Sequence, residues 1–441
     1  MTDWLKKRIW LATAIVVVLA LGGVVFGLFQ QGFFYTKQEI PFAGEVMSEQ
    51  IRAEVKTSAY SGAPNSSTIL RRTLRIFEQT SSDTPYMAEW YMLAGAVSSQ
   101  PALRSHIYLC EDQILLARAY IATGNKDSAK RLLDSVYRDF TEISSDGVHS
   151  RLRSYLTAEE LWISPDAETD SKLDRIPSYS SSSGLGLAYI DVYLRYYEKW
   201  GTAADLESIL ERAAELCPPG SVLSEGLLFE QTTARPLPGN VGEAQEYAEP
   251  DVLSFSGSKL AYMNLDTLRA LADLSPGYQA DYSAAQEVLA AGRISDEVPL
   301  YALAYEKESR GYIYYQGDVP SLAIEDSLLV MLSLAKDGTL GADEVRWLKN
   351  QLYGMSGITT KYDVLSGQSA NSEEFLRAYG LVLQIARYTG DDALFSLAYG
   401  KLMMGISTNQ DSDAYGIFYQ QTDDLRILLR LRDNLEAVVG V

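Results

Sequence analysis

Apolar and polar positions along this chain follow the period of an α-helix almost throughout. Apolar residues recur three and four positions apart in 68–78, 86–98, 107–122, 127–140, 151–162, 184–200, 203–216, 258–274, 282–292, 322–336, 342–353, 372–388, 392–405 and 422–436. Strand-like alternation is scarce, with short β pieces expected around 226–231 and 311–315. The punctuation supports helix pairs: Thr123-Gly124-Asn125-Lys126, Lys199-Trp200-Gly201, Lys336-Asp337-Gly338 and Thr389-Gly390-Asp391-Asp392 each follow an amphipathic stretch.

Two all-α architectures answer to this pattern. A superhelical solenoid would repeat at a fixed period near 34 residues, and Leu116 to Leu133 resembles one tetratricopeptide helix pair. The helix pairs begin near 107, 184, 258, 322 and 372, at irregular and longer gaps. Long loops at 162–183 and 228–257 also intervene. The favoured fold is therefore an all-α closed toroid of helix hairpins, with inner and outer rings and its loops gathered at one end where a site can be built.

One stretch breaks the amphipathic pattern. Ile9 to Phe29 is uncharged and rich in Val, Leu, Ala and Ile. A helix of that length, at about 1.5 Å per residue, covers the roughly 30 Å of a bilayer's hydrocarbon core. Lys6, Lys7 and Arg8 flank it on one side only, which places the N-terminus in the cytoplasm. No small-residue cleavage site follows, so an uncleaved anchor is expected in preference to a signal peptide. The expected organisation is a cytoplasmic tail at 1–8, a transmembrane signal anchor at 9–34 and a polar stem at 35–61. An extracytoplasmic domain at 62–441 follows, at a bacterial cell membrane.

Composition then removes alternatives. Asp and Glu outnumber Lys and Arg by 58 to 38, a formal charge of −20, which disfavours nucleic acid as a partner. Two cysteines and two histidines leave little room for a disulfide framework, a zinc site or a Ser-His-Asp triad. No metal or cofactor is implied. Cys110 and Cys217 either pair or stay as buried thiols. The Gly184/Gly186 run lacks the lysine and the preceding strand of a phosphate loop.

Certain short motifs stand at the helix starts. Ile107-Tyr108-Leu109-Cys110-Glu111-Asp112 opens one apolar helix, and Ser258 to Leu268, with Asn264, opens another. Val319 to Leu329 carries Glu325 and Asp326; Ala370 to Leu376 carries Asn371; Tyr419 to Leu425 carries Asp423 and Asp424. In their order these resemble the glycoside hydrolase family 8 clan, especially the anchored members of bacterial exopolysaccharide systems. That resemblance implies an (α/α)6 barrel cleaving a β-linked polysaccharide, endo-acting and with inversion. It implies that Glu111 is the general acid, and that Asp326 and Asp424 are carboxylates from which the base would come. The sequence departs from the family at Gly184 to Tyr189, where a pair of aspartates is absent, and at Asn264, where an aspartate is expected.

Glycoside hydrolysis needs two carboxyl groups flanking one bond, one protonated and one activating water. Glu111 and Asp112 also read as an ordinary acidic first turn facing a helix dipole, and Asp326 and Asp424 as caps or sugar-hydroxyl acceptors. Asp191 lies nearly two turns into its helix. His106 reads as a structural histidine, and Ser224-Glu225-Gly226 as a turn. Among 29 tyrosines, Tyr189, Tyr193, Tyr315 and Tyr419 are candidates to stack on sugar rings, with Asn264 and Asn371 as polar contacts. Trp90, Trp162 and Trp200 are further stacking candidates. Polysaccharide is the expected partner, with synthase or export proteins beside it. Two other roles remain: a catalytically degenerate relative that binds the polymer or scaffolds its synthesis, and a repeat-type interaction protein without a sugar site.

Overall fold

The computed structural model describes residues 37–59, 64–78, 84–93, 102–143, 150–163, 168–169, 174–175, 177, 181–221, 228–235, 254–316, 319–354, 357–407, 411, 414–422 and 425–441. The expected membrane anchor, Ser224 to Gly226, Asp423 and Asp424 lie outside them. No helix among the described residues is long and apolar enough to cross a membrane.

Thirteen α-helices are described: α1 Glu49–Ala59, α2 Ser66–Glu78, α3 Cys110–Ala122, α4 Lys126–Phe140, α5 Ser183–Trp200, α6 Ala203–Leu216, α7 Leu265–Leu274, α8 Gln279–Ala291, α9 Ile324–Asp337, α10 Ala342–Tyr353, α11 Leu376–Thr389, α12 Asp392–Met404 and α13 Leu431–Gly440. Six of them form a closed inner ring. α3 packs on α5, α5 on α7, α7 on α9, α9 on α11, α11 on α13, and α13 back on α3. The others lie outside, mostly on their hairpin partners: α4 on α3, α6 on α5, α8 on α7 and α12 on α11. The inner helix α13 packs on α2, which lies more than 350 residues earlier in the chain. The arrangement matches an (α/α)6 fold.

Burial separates the two rings as the physics requires. α11 is buried continuously from Arg377 to Ala386, because it has neighbours on every side. α4 buries one stripe, Ala129, Leu132, Leu133, Val136 and Phe140, with Ser135 beside it. Each such leucine or phenylalanine, fully buried, is worth roughly 1.5–3 kcal/mol. The turns after α9 and α11 close on Gly338 and Gly390 in the left-handed region, at φ 76° and 70°, which a side chain would resist.

Two expected helices are strands instead. Trp90–Met92 stands where 86–98 reads as a helix, and Ser150–Arg153 with Tyr155–Thr157 replaces 151–162. In the second case Ser150, Leu152, Ser154 and Leu156 are buried while the residues between them are half exposed, a period of two inside an apparently helical run. Short strands also precede the inner helices: Ile107–Leu109 before α3, Ser321–Ala323 before α9 and Ile427–Arg430 before α13. The sheet that carries the site runs in the order 420–421, 427–430, 90–92, 103–104, 168–169. Trp90 pairs with Arg430 and Tyr91 with Leu429 in antiparallel register.

The segment expected as a stem lies, from residue 37, along the barrel. Ile40 and Met47 are buried. The Ala43 amide donates to Asp266 at 2.9 Å, and Arg387 donates to Glu45. Cys110 and Cys217 are both buried and free.

Candidate active site

The first turns of the inner helices meet at one end of the barrel, and a cavity opens there. Glu111 and Asp112 come from α3, Leu185 from α5, Glu325 and Asp326 from α9, and Arg432 and Asp433 from α13. Tyr262 and Lys259 come from the short 3₁₀ turn before α7 and the strand ahead of it. Each helix N-terminus presents about half a positive charge, so acids in these first turns are stabilised. The sequence puts them there at Glu111, Asp112, Glu325, Asp326 and Asp433.

Glu111 and Asp326 thus line the same cavity. Arg432 ties several of the acids together. Its Nη1 lies 2.7 Å from Glu111 Oε2 and 3.4 Å from Glu325 Oε1, and its Nε donates to Asp112 at 2.5 Å. Arg377 pairs with Glu325 and, at 3.4 Å, with Glu436. Lys259 Nζ stands 2.8 Å from Asp326 and 5.2 Å from the centre of the Tyr262 ring, whose hydroxyl donates to Glu111 at 3.1 Å.

These neighbours set the proton affinities. Burial by itself would raise the Glu111 carboxyl. Arg432, Arg377, Lys259 and the Tyr262 hydroxyl outweigh it and hold that carboxyl below the usual range. Glu89 behaves in the opposite way. Burial, aided by the charge of Asp112, pushes it up to about 7, against the Arg175 amide and the Arg175 and Arg430 guanidinium groups. Burial also raises Asp433, against Arg175, Arg430, Arg377 and Arg432. The cavity therefore holds carboxyl groups of well-separated proton affinity, Glu111 held low and Glu89 and Asp433 raised.

Tyr262 packs closely on the start of α5. A Cβ on Gly184 would meet the Tyr262 ring at 2.4 Å. The hydroxyl of the same ring reaches Glu111.

The other expected contacts divide. Asn264 lines the cavity's deeper part and caps α7, accepting from the Thr267 amide at 3.4 Å. Tyr189 and Tyr193 are corrected to core residues, 0% and 1% exposed. On α5, Gly184, Leu185, Ala188, Asp191 and Val192 face the cavity, and the tyrosines occupy the opposite side. There Arg212 donates to the Tyr189 hydroxyl, and the Tyr193 hydroxyl donates to Asp205 at 3.3 Å. Tyr315 is buried, in a strand paired with Arg235. Asn371 donates to Thr360 Oγ1 at 2.6 Å and Tyr419 packs half-buried on the core; among the described residues neither lines this cavity. His106 pairs with Asp174 at 2.7 Å.

Glu89, Lys259, Tyr262, Arg377 and Arg432 were not singled out from the sequence. Glu89 sits in an apolar run read as a helix, and the two arginines lie inside helices whose starts drew attention for their acids. The usable signal was the repeated basic residue near inner-helix starts.

Below Glu111 the cavity continues down the barrel axis to Arg118, Asp191 and Lys336. Burial pulls the Lys336 amine from 10.5 down to about 7; Arg195 and Arg118 act the same way, and Asp191 and Asp266 oppose them. Below pH 7 the folded and unfolded chains both hold this proton, and its full cost falls on the folded state. From 7 to 10.5 the unfolded chain binds more protons, so stability rises with pH. Lys336→Met should therefore raise the melting midpoint most at pH 6, with the gain shrinking by pH 9. Melts at the two pH values giving equal gains would refute this.

No family model matches the sequence, and no curated protein does. Solved structures match it. An α-amylase from Clostridium perfringens is 18% identical at a TM-score of 0.59, over 84% of this chain and 96% of that one. An endo-β-1,4-glucanase from Acetobacter xylinum is 13% identical at 0.46, over 76% and 97%. PssZ from Listeria monocytogenes is 10% identical at 0.47, over 91% and 97%. The first of these carries the comparison. It shares the fold, and the expected likeness to (α/α)6-barrel glycoside hydrolases holds at the level of architecture.

Proposed function

We propose that this chain is a glycoside hydrolase acting on a polysaccharide outside the cytoplasmic membrane, with its N-terminal apolar segment as the anchor. The observation that supports this reading best is that Glu111 and Asp326, from different inner helices, line one cavity at the end where those helices begin.

Glu111 is the proton donor in this reading. In the empty cavity Arg432 keeps it ionised. A sugar ring entering between them separates the pair and excludes water. Arg432 keeps Asp112 and Glu325 as partners, and losing the largest of the charges that hold Glu111 low raises its proton affinity, against Arg377, Lys259 and the Tyr262 hydroxyl. Asp326, held by Lys259, orients the attacking water. Inversion needs room for that water between the two carboxyl groups, and the anomeric form of the first product, followed by NMR, reports it.

The reading is tested by incubating the full chain with β-1,4-glucan, xylan, amylose and bacterial exopolysaccharide and measuring new reducing ends. Release from at least one polymer is expected, and release from none would sink it. Amylose belongs in the panel because the Clostridium perfringens protein is described as an α-amylase, which makes an α-linked glucan the second substrate reading. A binding or scaffolding role is favoured by one feature: Glu111, Asp326 and Glu325 are each already ion-paired. Polymer retention by wild type without product would establish it.

Arg432 gives a separate check. Its removal takes away the cation nearest Glu111 and raises that carboxyl's proton affinity. For a proton donor, the high-pH limb of the kcat/KM profile should then move to higher pH in Arg432→Met. Asp112, fully buried, loses its partner in that variant, at a cost of roughly 3–5 kcal/mol. The profile is therefore to be measured well below the melting midpoint. A limb that stays put or moves down would remove Glu111 from the donor role.

A further inference from the structure

The axial part of the cavity is not needed to bring two carboxyl groups to a glycosidic bond, yet it is built with care. From Glu111 to Arg118 is seven residues along α3, about 10 Å at 1.5 Å per residue. The wall between is apolar, formed by Leu115, Leu185, Leu329, Leu332 and Leu381. At the floor stand two cations. Arg118 Nη2 donates to the Gln384 side chain at 2.9 Å, and Lys336 Nζ faces the Tyr388 ring at 5.8 Å. Among the described residues neither makes an ion pair, and Lys336 makes no hydrogen bond, although it is only 5% exposed. Glu436, which also lines this cavity, pairs with Arg377 at 3.4 Å and accepts from Gln384, and Asp191 is likewise committed elsewhere. It accepts from Arg195 at 3.1 Å and from Thr267 at 3.0 Å. An amine buried to this degree with no ion-pair contact is costly, and the charges of Asp191 and Asp266 offset that cost only in part.

We propose that this shaft is a binding pocket for one acidic sugar unit, with the pyranose ring between the leucines and its carboxylate at Lys336 and Arg118. The chemistry is complementary part by part. The C–H faces of a pyranose suit an aliphatic wall, and a carboxylate accepts from an ammonium and from the free edge of a guanidinium. A bound carboxylate also restores the proton that burial pulls from the Lys336 amine. The consequence for substrate, a polymer carrying uronic acid units, rests on the glycosidase reading. Binding in the shaft does not.

The test is a calorimetric titration of the full chain in detergent at pH 6 with glucuronate, glucose and inorganic phosphate. Glucuronate should bind at least tenfold more tightly than glucose. Lys336→Met should lose at least tenfold in glucuronate affinity with glucose unchanged, and Lys336→Arg should keep most of it. Thermal melts of both variants confirm that they are folded. Glucuronate binding no tighter than glucose, an unaffected Lys336→Met, or phosphate binding without glucuronate binding would each overturn the proposal. Hydrolysis plays no part in the titration, so an inactive protein that binds glucuronate leaves the pocket standing, and an active one that does not bind it removes the pocket alone.

Discussion

Glu111→Gln is expected to lower kcat by about 10²–10⁴-fold while leaving KM nearly unchanged, the range that removal of a positioned general acid gives. Glutamine keeps the size of the side chain and an oxygen for the Tyr262 hydroxyl, which donates at 3.1 Å. It cannot hand over a proton. It also gives up the ion pair with Arg432, but Arg432 keeps Asp112 and Glu325, so the cavity should hold its shape. The loss should be smaller on an aryl glycoside, whose leaving group departs without full protonation. This contrast separates a proton donor from a residue that only shapes the pocket. Equal losses on the polymer and the aryl substrate would assign Glu111 to binding, and an unchanged kcat would exclude it from the chemistry.

Gly380→Val should cost about 3 kcal/mol of stability or more, the upper range for overpacking a filled core. Gly380 is on α11, and its Cα–H faces the backbone of α13. A Cβ there would lie 2.7 Å from the Glu436 carbonyl oxygen and 2.8 Å from its carbon. The obstacle is backbone, so no side-chain rotation relieves it. The approach is reciprocal, since a Cβ on Gly440 would meet the Gly380 carbonyl oxygen at 2.6 Å. α13 must move off α11, and it carries Arg432 with it. Melting should therefore fall by several degrees and activity should fall with it, with Gly380→Ala following the same trend more weakly. A melting midpoint within a degree of wild type would show that the two helices part at no cost.

The toroid was legible because the helix pairs begin at irregular gaps too long for a fixed repeat, with long loops between them. The split into rings was not, since α11 is buried on every side although it carries Arg377 and Gln384, residues that hydropathy assigns to an exposed face. The strands were less legible. Ser150 to Thr157 is short and contains polar residues on its buried side, Ser150 and Ser154, so hydropathy could not mark the face. Glu111 and Asp326 could be singled out because an acidic pair opening an apolar helix is visible in one dimension. Arg432, Arg377 and Lys259 could not, since each earns its place only beside an acid more than 50 residues away. Tyrosine count misled for a related reason. Tyr189 and Tyr193 sit one or two positions from cavity-lining Ala188 and Val192, and a helix turns about 100° per residue. The opposite wall of α5 received the rings.

The packing of α13 on α2 has a consequence for how the molecule comes into being. A ribosome delivers α2 well before its partner, with five helix hairpins in between. Five hairpins can form as they emerge, but the ring has an open seam until residues 431–440 arrive. Until then the flank of α11 around Gly380 and the apolar side of α2, with Ile69, Leu70, Ile76 and Phe77, stand uncovered. Such surfaces invite wrong partners in a nascent chain. Vectorial synthesis therefore makes α13 a clasp, and the interval before it closes is one in which a chaperone would shield these two faces.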